Sequence, residues 1–193
     1  MVSRVRFPDA EPNLNLELMI RKTYLNCPIV VSKFSKHQEV KKKLLSLIEK
    51  QNSEKISTKV ENISNADWTT DIGQMREYWK YFYQYLKPHV EEVYDNLSIP
   101  NRNISTYWFQ QYYANDFHDW HEHGNSWTNV YYLELPDLEV RTEIINPSDG
   151  SIIVPDIKEG YILTMPGILK HRSPPNKSSK RKTVVVFNID LIV

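Results

Sequence analysis

The sequence predicts a mainly β protein with N-terminal α-helices, whose C-terminal half forms a jelly-roll sandwich. Two observations predict this fold. From Asn101 onward, short runs of β-branched and aromatic residues alternate with turn-forming clusters such as 146–150 and 173–176. Before that point, apolar residues recur at helical spacing in two segments. Short strands at this spacing are typical of sandwiches and jelly rolls, and we expect the helices to cover one face.

The N-terminal part contains three predicted elements. Residues 28–31 are a short apolar run that indicates a strand, and apolar residues from Val40 to Ile48 predict an amphipathic helix over 36–51. A second helix, with an aromatic stripe from Met75 to Leu86, is expected to begin near Asp71. Pro88 is expected to kink or end it, with a further short helix over 89–97.

The C-terminal part contains six predicted strands, at 106–113, 127–135, 140–145, 151–154, 161–165 and 183–193. The length fits a single domain over 1–193, with 1–100 as a helical support region and 101–193 as the jelly-roll core. The aromatic-rich helices could supply a homodimer face.

Composition excludes some function classes. Lysine plus arginine and aspartate plus glutamate number 24 each, so the formal net charge is zero and no nucleic-acid partner is expected. The single cysteine, Cys27, cannot form an internal disulfide, and no apolar run approaches the roughly 20 residues that span a bilayer. With no signal-peptide pattern at the N-terminus, we expect a cytoplasmic protein without membrane contacts.

A cluster of histidines carries the chemistry. His118, His121 and His123 lie within six residues, and in an extended segment His121 and His123 face the same way. Two such imidazoles can bind one metal ion together. His171 follows an apolar strand and the turn 165–167, where a jelly roll could return a third ligand to the same cavity. Imidazoles with open coordination positions suit iron, zinc, copper or nickel, and an added carboxylate favours iron.

Several motifs occur in an order that resembles the 2-oxoglutarate/iron(II) oxygenase superfamily, and in particular its microbial and phage branch. They are His121-x-His123, the strand 129–133, the segment 160–166, His171, the triplet 181–183 and Phe187-Asn188. The resemblance covers roughly Tyr107 to Leu191 and implies a double-stranded β-helix, a cupin-like jelly roll whose mouth holds Fe(II).

The resemblance also implies a ligand set. His121 matches the first iron ligand and His171 the last, whereas His123 stands where most members place a carboxylate. Either the site has three histidines or a nearby carboxylate substitutes, and Asp119 is the alternative because it shares the face of His121. We expect His123 to be the middle ligand.

The co-substrate site follows from the same resemblance. An arginine about ten residues after the last ligand, followed by a hydroxyl residue, grips the far carboxylate of 2-oxoglutarate in this family. Arg181 and Thr183 match those positions, and Lys182 is expected to point away. Tyr132 and Tyr113 are predicted to complete the pocket, with Tyr131 and Tyr112 as their alternatives.

The function implied is hydroxylation of an unidentified substrate, a protein or a small molecule, with decarboxylation of 2-oxoglutarate to succinate. Two alternatives stay open. One is a three-histidine cupin-like metalloenzyme that does not use 2-oxoglutarate, and the other is a non-catalytic jelly-roll binding module. An arginine that anchors a dicarboxylate distinguishes the 2-oxoglutarate enzyme from the first alternative, because a metalloenzyme that does not use 2-oxoglutarate does not need this arginine.

Overall fold

The structure, a computed structural model, describes residues 27–70 and 73–192. Its helices are α1 (His37–Ile48) and α2 (Glu77–Asn96), and a 3-10 turn spans Leu138–Val140. The strands in the described part are β1 (Val30–Lys33), β2 (Glu54–Ser57), β3 (Glu61–Ala66), β4 (Arg102–Tyr112), β5 (Phe117–His121), β6 (Trp127–Glu134), β7 (Glu143–Ile145), β8 (Ile152–Ile153), β9 (Tyr161–Pro166), β10 (His171–Ser173) and β11 (Lys182–Leu191).

The strands form two antiparallel layers. One layer, the major sheet, has the order β1-β9-β6-β11-β4-β3, and the other, the minor sheet, has the order β5-β10-β7-β8. Strand β3 pairs with both β4 and β5 and joins the two layers. This curled arrangement is a double-stranded β-helix, and it confirms the predicted mainly β, jelly-roll fold.

Both faces of the major sheet are buried, and this decides where the side chains of β11 lie. Val185 and Phe187 belong to a core that the two helices cover, with members such as Leu44 and Phe82. Val184 and Val186 belong to a second core that faces the minor sheet. Alternate residues of one strand therefore belong to different cores.

The first hundred residues differ from their prediction in several elements. Helix α2 begins at Glu77, and Met75 precedes it with 67% of its surface exposed. The expected start at Asp71 lies outside the described residues. Pro88 does not end the helix, which continues to Asn96; it lies on an exposed face, where water can bond the Gln84 carbonyl that lacks an N–H partner. Strands β2 and β3 were not predicted.

Neither helix in the described part of the chain has the length and apolar character needed to cross a membrane.

Candidate metal centre

Three histidines meet between the two sheets. His121 ends β5 and His171 begins β10, and the two residues are register partners in neighbouring strands. His123 follows two residues after the end of β5. One ligand atom from each of the three lies within 4.8 Å of the others. The predicted grouping of His121, His123 and His171 is therefore present in the structure.

Backbone carbonyls orient two of the imidazoles. The Nδ1 of His121 is 2.7 Å from the carbonyl oxygen of Asp119, and the Nδ1 of His171 is 2.7 Å from that of Leu169. Because a carbonyl can only accept, each Nδ1 carries the proton and each Nε2 keeps a free lone pair. Metal-binding histidines are commonly held in this way.

A loop contact places the third imidazole. The backbone N–H of His123 donates to the carbonyl of Gly167 at 2.9 Å, and the N–H of Gly167 donates to Ser126 at 3.0 Å. The turn after β9 thereby fixes the segment that follows β5.

Burial keeps the cluster neutral. It lowers the pKa of His121, lowers that of His123 to about 4 and lowers that of His171 to about 3. Neighbouring imidazoles lower the last two further. A neutral imidazole is the form that binds a metal ion, so the cluster is ready to bind without first losing protons.

The donor set fits a transition metal. Among the described residues, the group contains three imidazoles and no carboxylate. The carboxylate of Asp119, the predicted alternative, instead accepts from the backbone N–H of Trp120 at 2.8 Å. Three imidazoles suit Fe(II) as well as zinc, copper or nickel.

A buried lysine lies in the same cavity as the histidines. Lys182 is 1% exposed and lines this cavity, where its Nζ donates to the carbonyl of Val140 at 2.6 Å and to the hydroxyl of Ser173 at 2.8 Å. Its ammonium also lies 5.1 Å from the ring centre of Tyr112. Burial lowers the pKa of Lys182 to about 7.

No carboxylate pairs with Lys182 in the described part of the chain. An ammonium has three N–H donors, and its two neutral acceptors do not balance its charge. Buried charges in proteins are normally paired, so this one indicates a site for an anion.

Arg181 does not reach the cavity, contrary to its prediction as the co-substrate anchor. Its Nε donates to Glu134 at 2.8 Å, and Glu49 lies 3.5 Å from the guanidinium. Thr183 donates to the same Glu134. Arg181 and Thr183 lie on the same face of the strand as Val185, which is the face covered by the helices and away from the three histidines. Lys182 lies on the same face as Val184, which is the cavity side.

The two predicted tyrosines have different positions. Tyr132 is buried in the core on the cavity side, and its hydroxyl lies 2.5 Å from Thr142, which lines the cavity. Tyr113 is 41% exposed and lines a surface depression with Arg181 instead. Its alternative, Tyr112, lines the cavity, because the inward parity of β4 is that of Tyr112.

Sequence reasoning missed further residues of the cavity. His118 was expected on the opposite face, yet its ring stacks on that of His121 at 3.6 Å. The pairing of β10 with β5 is irregular between His171 and Ser173, which brings His118 to the inner side. Gln110 and Trp108 line the cavity from β4. Trp108 and Gln110 alternate along β4 with Tyr112, so all three point into the cavity, and this alternation is the sequence signal that could have identified them.

Comparisons with solved structures identify the fold. A Pseudomonas putida prolyl-4-hydroxylase matches with a TM-score of 0.62 at 12% identity, over 86% of this chain and 93% of its own. A protein from Burkholderia pseudomallei, described as an oxidoreductase of the 2OG-Fe(II) oxygenase family, matches with a TM-score of 0.66 at 9% identity, over 84% and 85%.

A third match is the non-heme α-ketoglutarate-dependent epimerase SnoN from nogalamycin biosynthesis, with a TM-score of 0.67 at 9% identity, over 83% and 76%. No protein-family model matches the chain, and no curated protein matches it in sequence. The chain has the double-stranded β-helix fold that these oxygenase structures share.

Proposed function

We propose that this protein is an Fe(II)- and 2-oxoglutarate-dependent oxygenase. One observation carries the proposal: a single cavity contains three neutral histidines that can bind a metal ion and a buried lysine that has no carboxylate partner among the described residues and can pair with an anion. A ligand with a metal-chelating end and a carboxylate at the other end satisfies both requirements, and 2-oxoglutarate is such a molecule.

His121, His123 and His171 would hold the iron, and Lys182 would bind the far carboxylate of 2-oxoglutarate. Strand β4 supports this order along the cavity. Tyr112 is the register partner of Lys182, and Trp108, four residues earlier, lies beside His123 with 5.7 Å between ring centres. Lys182 and the bound metal would therefore lie at different depths of one cavity.

Bound iron would supply the activation of dioxygen, which side chains alone do not provide. Val130, Val184 and Val186 form an apolar part of the cavity wall and would limit the access of water. In the proposed reaction, a substrate C–H bond, dioxygen and 2-oxoglutarate give a C–OH group, succinate and carbon dioxide. One oxygen atom enters the substrate and the other enters succinate.

A three-histidine metalloenzyme without 2-oxoglutarate is the second candidate. The lack of a carboxylate in the described cluster favours it, since the usual iron site of oxygenases has two histidines and one carboxylate. Such an enzyme, or a non-catalytic binding module, would leave the ammonium of Lys182 without a partner unless its own ligand were an anion, whereas 2-oxoglutarate supplies that anion itself. Lys182 thus favours the 2-oxoglutarate enzyme.

Protein purified without a histidine tag and loaded anaerobically with Fe(II) tests the proposal. After exposure to air we expect conversion of 2-oxoglutarate to succinate, slow without a substrate, that depends on iron and is lost in His171→Ala. Iron-loaded protein that neither binds nor decarboxylates 2-oxoglutarate would refute it. Full iron binding with no effect of 2-oxoglutarate would favour the second candidate.

A further inference from the structure

A surface groove adjoins the metal cavity along β4. Trp108 lines both the cavity and the groove, which Trp68, Tyr107 and Met75 also line. A second depression shares Met75 and Tyr107 and continues to Ile104 and Asn103. From Trp108 to Asn103 the path follows six residues of an extended strand, roughly 20 Å.

Aromatic side chains form the floor of this groove, and the charge of Arg76 beside it is already paired. Trp68 packs edge-on against Trp108 at 6.3 Å. Arg76 lies in the groove wall, but its Nε is 3.0 Å from the carboxylate of Asp67 and its other nitrogens donate to backbone carbonyls, including that of Tyr107 at 2.7 Å. Lys80, which lines the second depression, is the one further charged residue that the described part of the chain contributes to the lining, so a ligand that carries little charge suits this surface.

One edge of β4 is unpaired beside the groove. Strand β11 pairs with β4 along its whole length, whereas β3 pairs with it only at Gln110 and Gln111. Within residues 27–70 and 73–192, no other strand pairs with the edge of β4 between Arg102 and Phe109. At the cavity end of this edge, side chains already bond the backbone: the Phe109 N–H donates to Asp67 and the Tyr107 carbonyl accepts from Arg76, both at 2.7 Å. The stretch from Arg102 to Thr106 remains for an additional strand, which unpaired edges of this kind accept.

Two buried polar atoms lack partners where the groove meets the metal site. They are the Nε1 of Trp108, a donor, and the Oδ1 of Asn188, an acceptor, neither of which has a hydrogen bond among the described residues. Both residues lie beside His123, with the Nδ2 of Asn188 3.5 Å from its ring. A donor and an acceptor together complement an amide group.

We infer that the substrate is an extended polypeptide segment that pairs with the edge of β4 between Arg102 and Thr106, continues along the groove and presents one residue to the metal past Trp108. This inference rests on the proposed oxygenase function and names its substrate class. The groove length fits about six extended residues, and a peptide backbone supplies both the strand partner and the amide. A compact metabolite would leave most of the groove empty.

The test uses a pool of N-acetylated, C-amidated peptides of about ten residues with randomised positions, a length that exceeds the six-residue groove. It is added to the full-length, iron-loaded enzyme with 2-oxoglutarate and air. We expect some peptides to gain one oxygen atom and to stimulate succinate formation above the rate without peptide. No stimulation in enzyme that still turns over 2-oxoglutarate slowly would overturn the inference and leave the proposed function standing. A gain of oxygen only on the enzyme's own chain would also overturn it.

Two further readouts test strand pairing with a peptide found in this way. N-methylation of its backbone, one position at a time, should weaken binding at alternate positions of the part that pairs with residues 102–106, because alternate N–H groups face β4. Met75→Trp, which fills the groove, should raise the KM for the peptide about tenfold. Ile152→Trp, at an exposed position on β8, is the control and should leave this KM unchanged. A flat N-methyl profile, or equal KM values in both variants, would contradict the inference.

Discussion

Lys182 lowers the stability of the folded protein when no ligand is bound. Its ammonium is buried beside two aromatic rings with neutral hydrogen-bond partners, and burial lowers its pKa from 10.5 to about 7. The unfolded chain would therefore hold this proton more tightly than the folded chain. Such a penalty is expected at a binding site that gains an anion from its ligand.

Replacement of Lys182 by methionine should stabilise the protein while removing 2-oxoglutarate binding. Below pH 7 the lysine is charged in both states and its full penalty is present. Between about pH 7 and 10.5 the unfolded state binds more protons, so the wild-type free energy of unfolding rises with pH. At pH 7 we expect Lys182→Met to be more stable by on the order of 1–4 kcal/mol, as measured by urea unfolding. A less stable variant at pH 7 would contradict this.

The affinity for 2-oxoglutarate should depend on pH through the same group. Binding needs the ammonium, whose pKa is about 7 in the free protein. Above that pH the dissociation constant should rise about tenfold per pH unit until it reaches the affinity of the neutral amine. Lys182→Arg stays charged and should show no such rise. Calorimetric titrations of both proteins between pH 6 and 9 measure it, and equal slopes would show that another group controls binding.

Strand β11 explains why the histidine cluster could be predicted from the sequence and the buried position of Lys182 could not. The histidine spacing indicated a metal cluster without knowledge of the strand's orientation. The run from Thr183 to Phe187 is apolar at every position but the first, because both faces of β11 are buried. Such a run contains no alternation that reveals which face is inward. The register of β4 was equally ambiguous, which is why Tyr113 rather than Tyr112 was predicted to line the cavity.

The turn between β9 and β10 should control metal affinity. A Cβ at Gly167 would lie 2.1 Å from the carbonyl oxygen of Asn125, so Gly167→Ala must displace the segment that carries His123. We expect Fe(II) affinity to fall roughly 10- to 100-fold, measured by competition with a chelating dye. Gly124→Ala is the control, because a Cβ there meets nothing within 4 Å. Equal affinities in the two variants would remove Gly167 from the metal site.

At the scale of the whole molecule, the helices and the site occupy opposite faces of the major sheet. Helices α1 and α2 cover one face, and the minor sheet closes the cavity on the other. The sequence pattern predicted this class of fold and the grouping of His121, His123 and His171. Strands β2 and β3 escaped prediction because they are polar and partly exposed. Strand β3 is positioned by pairing with β4 and β5, which are distant in sequence, and β2 by pairing with β3.

In the proposed enzyme, one cavity binds iron through three histidines and 2-oxoglutarate through Lys182. The most direct measurement is the weak visible charge-transfer band formed when 2-oxoglutarate is added to the Fe(II) protein under anaerobic conditions. We expect the band to form in the wild type and in Arg181→Ala and to be lost in His171→Ala. In Lys182→Ala we expect a large increase in the 2-oxoglutarate concentration that is needed to form the band. Loss of tight binding in Arg181→Ala but not in Lys182→Ala, or no band in the wild type, would contradict the account.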